Sequence, residues 1–301
     1  MSERIELRDA SGARAVILPA LGGWLTEYAA PVAGVGMIDA IHHDEAVVAR
    51  YPREMWAGMP LLFPLVSYNH IPGAQHTYEW EGQRYPLPQH GFARRKPWRV
   101  ASSDSGSATL SLASDTDTRA VYPWEFQYDL TYRLSAGALV WEQRVSNLSS
   151  RPMPLSAGFH PYFRVPLGPH SRREDCVVRC PKSVRLTPLD EATRFERADF
   201  AAQDWPVSED VSGTLLLGQL ARKEFALVDR AAGVEVVFSW EGAPRYTSCA
   251  IWSRNTTEPF YCIEPWTALP NSFSRRAMDL IILAPGETMV SQFELAIRKG
   301  R

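Results

Sequence analysis

The chain has 301 residues, 45% of them hydrophobic and 22% charged, with a formal net charge of −2. That balance excludes a disordered or collagen-like chain, and the lack of any long basic run excludes a nucleic-acid-binding surface. No run of about 18 apolar residues occurs, and the charged opening residues Glu3, Arg4 and Glu6 do not read as a signal peptide, so a cytoplasmic location with no membrane contact is the default expectation.

Taken in chain order, periodicity points to strands almost everywhere. Residues 14–18 read as an early strand, closed by Pro19 and by Gly22 and Gly23. Residues 108–112 alternate apolar and polar with period two, as do residues 126–134 after the breaker Pro123. Residues 138–145 follow across Ser135, Ala136 and Gly137, which makes the pair a predicted hairpin. Further strands are expected at 225–229, 234–240, 247–252, 260–264 and 288–298, with turn residues between them. Helical patterning is confined to short pieces near 51–56 and 215–220, and 23 prolines argue against long helices. Many short strands at regular spacing predict an all-β protein, a large antiparallel β-sandwich in a single domain over residues 1–301.

The four cysteines are Cys176, Cys180, Cys249 and Cys262. Cys176 and Cys180 lie on one strand-like run, about 13 Å apart when extended, too far for a disulfide. No C-x-x-C pair is present, so all four read as reduced core residues.

Four stretches carry side chains suited to chemistry. Residues 58–69 set two prolines around an apolar run that ends in Tyr68 and Asn69, whose polar tips suit neutral hydroxyls. Residues 89–98 contain His90 beside Gly91, with Arg94 four positions on. An arginine fork can grip paired hydroxyls or a phosphate. Residues 155–163 hold His160 between Gly158 and Pro161, flanked by aromatic rings. Residues 260–271 end an apolar strand on Glu264, a carboxylate whose burial would raise its pKa toward the range of a useful base. Trp266 beside it could stack on a sugar face. Histidines 42, 43, 70 and 76 fall in loop-like sequence and read as surface residues. Two imidazoles and a carboxylate could be assembled from His90, His160 and Glu264, but nothing in their spacing requires a metal.

Together the four stretches resemble the aldose 1-epimerase (galactose mutarotase) family, closest to the branch with the hexose-6-phosphate mutarotase-like proteins. The pieces 58–64, 90–98, 158–163 and 262–266 occur in family order, and 283–287 resembles the entry to the family's closing strand. The resemblance implies a supersandwich with a shallow sugar cleft, His160 and Glu264 as catalytic residues, and His90 and Arg94 as substrate-binding residues. After Phe63 and Pro64 many relatives carry glycine, arginine or lysine, where this chain has Val66, Ser67, Tyr68 and Asn69. A sugar-holding aspartate is expected among Asp190, Asp199 and Asp204.

Interconverting anomers needs only an acid and a base, so no cofactor and no metal is expected. Glu264 is the natural base, and His160, as imidazolium, the natural acid, with side chains expected roughly 5–8 Å apart across one sugar ring. The expected partner is a small-molecule sugar, more readily a neutral aldose than a phosphorylated hexose, bound by a monomer or weak homodimer. A non-catalytic sugar-binding module or an acid–base lyase on the same fold are the readings from other classes.

Overall fold

Alternating sequence becomes paired strand. The computed structural model describes residues 4–275 and 279–300. Strands Phe126–Ser135 and Ala138–Asn147 run antiparallel, from Phe126 opposite Asn147 to Ser135 opposite Ala138. Buried and water-facing side chains alternate along both, as a period of two demands when one sheet face is covered. Ala136 and Gly137 connect them at φ of 49° and 86°, the left-handed turn whose twist matches the strands and which glycine takes without steric cost.

Among the described residues the largest sheet has nine antiparallel strands. Their spatial order is Arg99–Ser103, Ser107–Ala113, Phe126–Ser135, Ala138–Asn147, Thr288–Lys299, Val234–Ser239, Glu224–Asp229, Cys176–Cys180 and Gln203–Pro206. A second, eight-stranded sheet runs Arg194–Phe200, Ser183–Leu189, Leu215–Gly218, Ser248–Trp252, Phe260–Trp266, Gly158–Phe159 and Leu61–Leu62. Tyr162–Arg164 also pairs with Phe260–Trp266. A four-stranded sheet, Ile5–Arg8 through Gly36–Asp39, abuts them through a bridge between Leu25 and Met59.

The two large sheets close on one aromatic core. Trp141 stacks on Phe293 at 5.3 Å, and Phe159 from the opposing sheet sets its edge on Phe293 at 4.7 Å. Such pairs add about 0.5–1.5 kcal/mol each beyond their area burial. Strand Phe260–Trp266 is buried on both faces, which is why it reads as a continuous apolar run. Tyr261 and Ile263 point into the main core, while Cys262, Glu264 and Trp266 share the other face.

Both predicted helical pieces are corrected. The nearest helix is Glu45–Ala49, whose first turn is capped by Asp44 accepting from Ala46 N at 2.8 Å and Val47 N at 3.3 Å. Residues 51–53 are turn and 54–56 are irregular, because Pro52 cannot continue the helix. Leu215–Gly218 is a strand wedged between Ser183–Leu189 and Ser248–Trp252. A short apolar run buried on both faces has no periodicity to distinguish strand from helix. A helix at Thr116–Val121, capped by Asp115, has no counterpart among the expected elements. The four cysteines are buried and unpaired. Of the histidines read as surface residues, 42, 43 and 70 are half-buried and only 76 is exposed. Among the described residues no helix is long and apolar enough to cross a membrane.

Candidate active site

The segment around residues 58–67 ties the sequence stretches together by backbone bonds. The Pro60 carbonyl accepts from His160 N at 3.1 Å, and the Gly58 carbonyl from Tyr162 N at 2.8 Å. The Phe63 carbonyl accepts from Phe92 N at 3.0 Å and Ala93 N at 3.1 Å. Gly91, at φ 70°, lies so close that a Cβ would collide with the Phe63 carbonyl. Gly158 is equally confined: a Cβ there would sit 2.8 Å from Trp266 Cδ1.

These contacts place His90, Arg94, His160, Glu264 and Trp266 around one cleft of about 270 Å³. His160 Nε2 lies 3.3 Å from Glu264 Oε1, and both side chains are buried. Trp266 Nε1 donates to the other carboxylate oxygen, Oε2, at 3.2 Å. Tyr162 stacks flat on the His160 ring at 4.6 Å, fixing its plane. The expected separation of roughly 5–8 Å is therefore corrected to direct contact. The two oxygens to be served, O1 and O5, sit on the same sugar carbon, so acid and base need not span the ring.

Burial governs the protonation of the pair. It holds His160 down at about 3, with the Arg94 charge adding to the effect. It pushes Glu264 well above the ordinary carboxyl value, against the Trp266 hydrogen bond and Arg94, which lower it. The standing imidazolium expected at His160 is thus disfavoured by desolvation, and the proton lies on the Glu264 side.

His90 is oriented from behind. Its Nδ1 accepts from the backbone N–H of Ser67 at 3.0 Å, so the ring proton sits on Nε2 as a donor. Burial and the Arg94 charge keep this ring neutral. Arg94 donates from Nη2 to the Gln89 carbonyl at 3.0 Å, while its buried Nε has no hydrogen-bond partner. Burial, with Arg95 nearby, lowers its pKa to about 10, which leaves it charged at neutral pH.

Tyr68 and Asn69 do not line the cleft. Tyr68 stacks on His70 at 4.4 Å, and Asn69 turns inward to accept from Phe273 N at 3.3 Å. The chain reverses at Ser67, φ 55°, and carries the next two side chains away. None of the three candidate aspartates reaches the cleft either. Asp190 pairs with Arg194, Asp204 pairs with Arg230, and Asp199 is exposed on its strand. The lining residues that sequence reading missed are Trp56, Ser67, Gln89, Tyr162, Thr214 and Trp252. Tyr162 carried a signal as part of the aromatic flank of His160, and Ser67 and Gln89 lay inside the stretches 58–69 and 89–98, whereas Trp56, Thr214 and Trp252 carried none.

The chain is similar to known proteins in sequence and in fold. Residues 3–296 match the family model described as aldose 1-epimerase. Over 234 residues the chain is 26% identical to the plasmid-encoded protein LacX of Lactococcus lactis subsp. lactis, covering 73% of this chain and 77% of LacX. A galactose mutarotase-like protein from Clostridium acetobutylicum superposes with a TM-score of 0.81 at 22% identity, covering 98% of this chain and 95% of that one. A galactose 1-epimerase from Lactobacillus acidophilus superposes at 0.71 and 16% identity, covering 99% and 95%. With the match running almost from end to end, the chain belongs to the aldose 1-epimerase family.

Proposed function

We propose that this protein is an aldose 1-epimerase that interconverts the α and β anomers of a hexose, with a neutral aldose as substrate. The observation that carries the reading is the 3.3 Å contact between His160 Nε2 and Glu264 Oε1 inside a cleft edged by Trp56, Trp252 and Trp266. Tryptophan faces suit the C–H faces of a pyranose. The family membership and the similarity in fold to a galactose 1-epimerase support it.

In the mechanism the pair gives one proton and takes one. The protonated member donates to O5 as the C1–O5 bond breaks, and its partner removes the proton of the C1 hydroxyl. The open aldehyde rotates about its C1–C2 bond. Reclosure on the opposite face returns both protons, so the net proton count is unchanged. A single hop across the 3.3 Å contact exchanges the two roles, which lets one site serve both anomers. In this reading His90 Nε2–H and Arg94, which both line the cleft, donate to sugar oxygens.

A phosphorylated hexose is the second reading. It is favoured by the buried Arg94 guanidinium, whose Nε lacks a partner. Polarimetry of freshly dissolved α-glucose and α-galactose tests the main reading. The wild type should accelerate mutarotation, and His160→Gln and Glu264→Gln should each lose about 100- to 10,000-fold. No acceleration of either sugar or its 6-phosphate would leave a binding module and sink the enzyme reading.

A further inference from the structure

Cys262 stands two residues before Glu264 on the same strand and on the same face. Its thiol is buried and takes no part in the proton transfers described above. The Sγ of Cys262, a ring nitrogen of His160 and a carboxylate oxygen of Glu264 all lie within 4.8 Å of one another. A thiolate, an imidazole and a carboxylate make a ligand set that zinc accepts and that magnesium and calcium do not.

We propose that His160, Cys262 and Glu264 form an inhibitory site for a soft divalent cation, with zinc the best match. Zinc bound at about 2.0–2.3 Å to each ligand places ligand atoms about 3.3–3.6 Å apart in a tetrahedron. His160 Nε2 and Glu264 Oε1 are already 3.3 Å apart. The Tyr162 ring stacked on His160 keeps the imidazole plane fixed, and Tyr162 lies opposite Cys262 across the strand pair. His160 and Glu264 line the cleft, which gives a cation a path to the site, whereas Cys262 is buried behind them.

The charges balance. On coordination the Cys262 thiol and the Glu264 carboxyl each release a proton to solvent, and the resulting thiolate and carboxylate together neutralise the dication. The neighbouring Arg94 charge opposes a lone cation but not such a neutral centre. A bound cation would occupy the His160 lone pair and the Glu264 carboxylate, the two groups that exchange protons with the sugar. It would therefore slow turnover. The inhibitory part rests on the function proposed above, whereas the binding part does not.

The test uses the full-length protein, stripped with a chelator and titrated with Co2+, then with Zn2+ in competition. A coordinated thiolate gives a near-ultraviolet charge-transfer band with cobalt, a readout independent of activity. One cobalt per chain should produce that band. Cys262→Ser should abolish it, and Cys262→Ser and Glu264→Gln should each weaken zinc by about 100-fold, the upper end of what even an outer partner of a metal site costs. Zinc should slow mutarotation by the wild type, a chelator should restore it, and the zinc inhibition constant of Cys262→Ser should rise by about the same factor. Absence of the band in the wild type overturns the proposal. So does a band that survives in folded Cys262→Ser, which would assign it to another cysteine. Should Cys262→Ser not fold, unchanged zinc affinity in Glu264→Gln overturns it alone. A wild type that gives the band without any mutarotation keeps the cation site and removes the function reading instead.

Discussion

Ser67 and His90 hold each other through two reciprocal bonds. Ser67 N donates to His90 Nδ1 at 3.0 Å, and His90 N donates to the Ser67 carbonyl at 2.7 Å. Both residues sit in the left-handed region, at φ 55° and 63°, which non-glycine residues occupy at some cost. The strain persists because the Ser67 backbone is bound to both the backbone and the ring of His90, and its result is an Nε2–H left free for the cleft that His90 lines.

Two substitutions at His90 should separate that support from sugar contact. Asparagine tolerates the left-handed region, and its Oδ1 can replace Nδ1 as acceptor for the Ser67 N–H. His90→Asn should keep the melting temperature near wild type while kcat/KM falls roughly 10- to 100-fold, the scale of one lost donor. His90→Ala should lose as much activity and also about 1–3 kcal/mol of stability, because the Ser67 N–H is left buried without a partner. Urea midpoints for both variants, read beside polarimetric rates, check this. Equal stability of the two would rule out the bracing role.

Trp266 steers Glu264 as well as walling the cleft. Its Nε1 fixes Oε2 and so turns Oε1 toward His160. Trp266→Phe keeps a flat ring and removes the donor. We expect kcat to drop about tenfold, near 1.4 kcal/mol, with KM changed less than threefold. A rise in KM at constant kcat would mean that the indole acts on the sugar alone.

Arg94 decides between the two substrate readings. For a neutral aldose, Arg94→Ala should weaken glucose and glucose 6-phosphate equally, with wild-type kcat/KM for the two within about tenfold, or 1.4 kcal/mol. A larger preference for the phosphorylated sugar that disappears in Arg94→Ala would give the site to a phosphorylated hexose.

Acid stability should depend on Glu235. This carboxylate is shielded on the outer face of the nine-stranded sheet by Arg179, at 2.8 Å, and Arg298, also at 2.8 Å. Burial alone would raise its pKa, but the hydrogen bonds and charges of the two arginines outweigh it and lower the value. A group with a depressed folded-state pKa stabilises the protein above its unfolded value, about 4.3 for glutamate, and that stability is lost as pH falls through the folded value. Glu235→Gln should therefore be less stable than wild type at pH 7, with the gap closing on acidification below about pH 4. Urea denaturation at pH 7 and pH 3 measures it. A gap that stays constant would mean the ion pairs contribute nothing that titrates.

The strand-rich class, the hairpin at 126–147 and the residue types of the His160–Glu264 pair are legible in the sequence alone. Each of these depends on neighbours in the chain. Side-chain alternation, a glycine at the turn, and a glycine and proline around His160 act over a few residues, and local sterics are legible in one dimension. Other features depend on neighbours far away in the chain. Leu215–Gly218 is a strand because two other strands flank it, not because of its own four residues. Tyr68 and Asn69 leave the cleft because Ser67 is pinned by a histidine 23 positions away. His160 and Glu264 touch, and their protonation departs from expectation, because strands a hundred residues apart pack them together and exclude water. Desolvation belongs to the assembled fold, since no residue carries its dielectric environment in its own sequence.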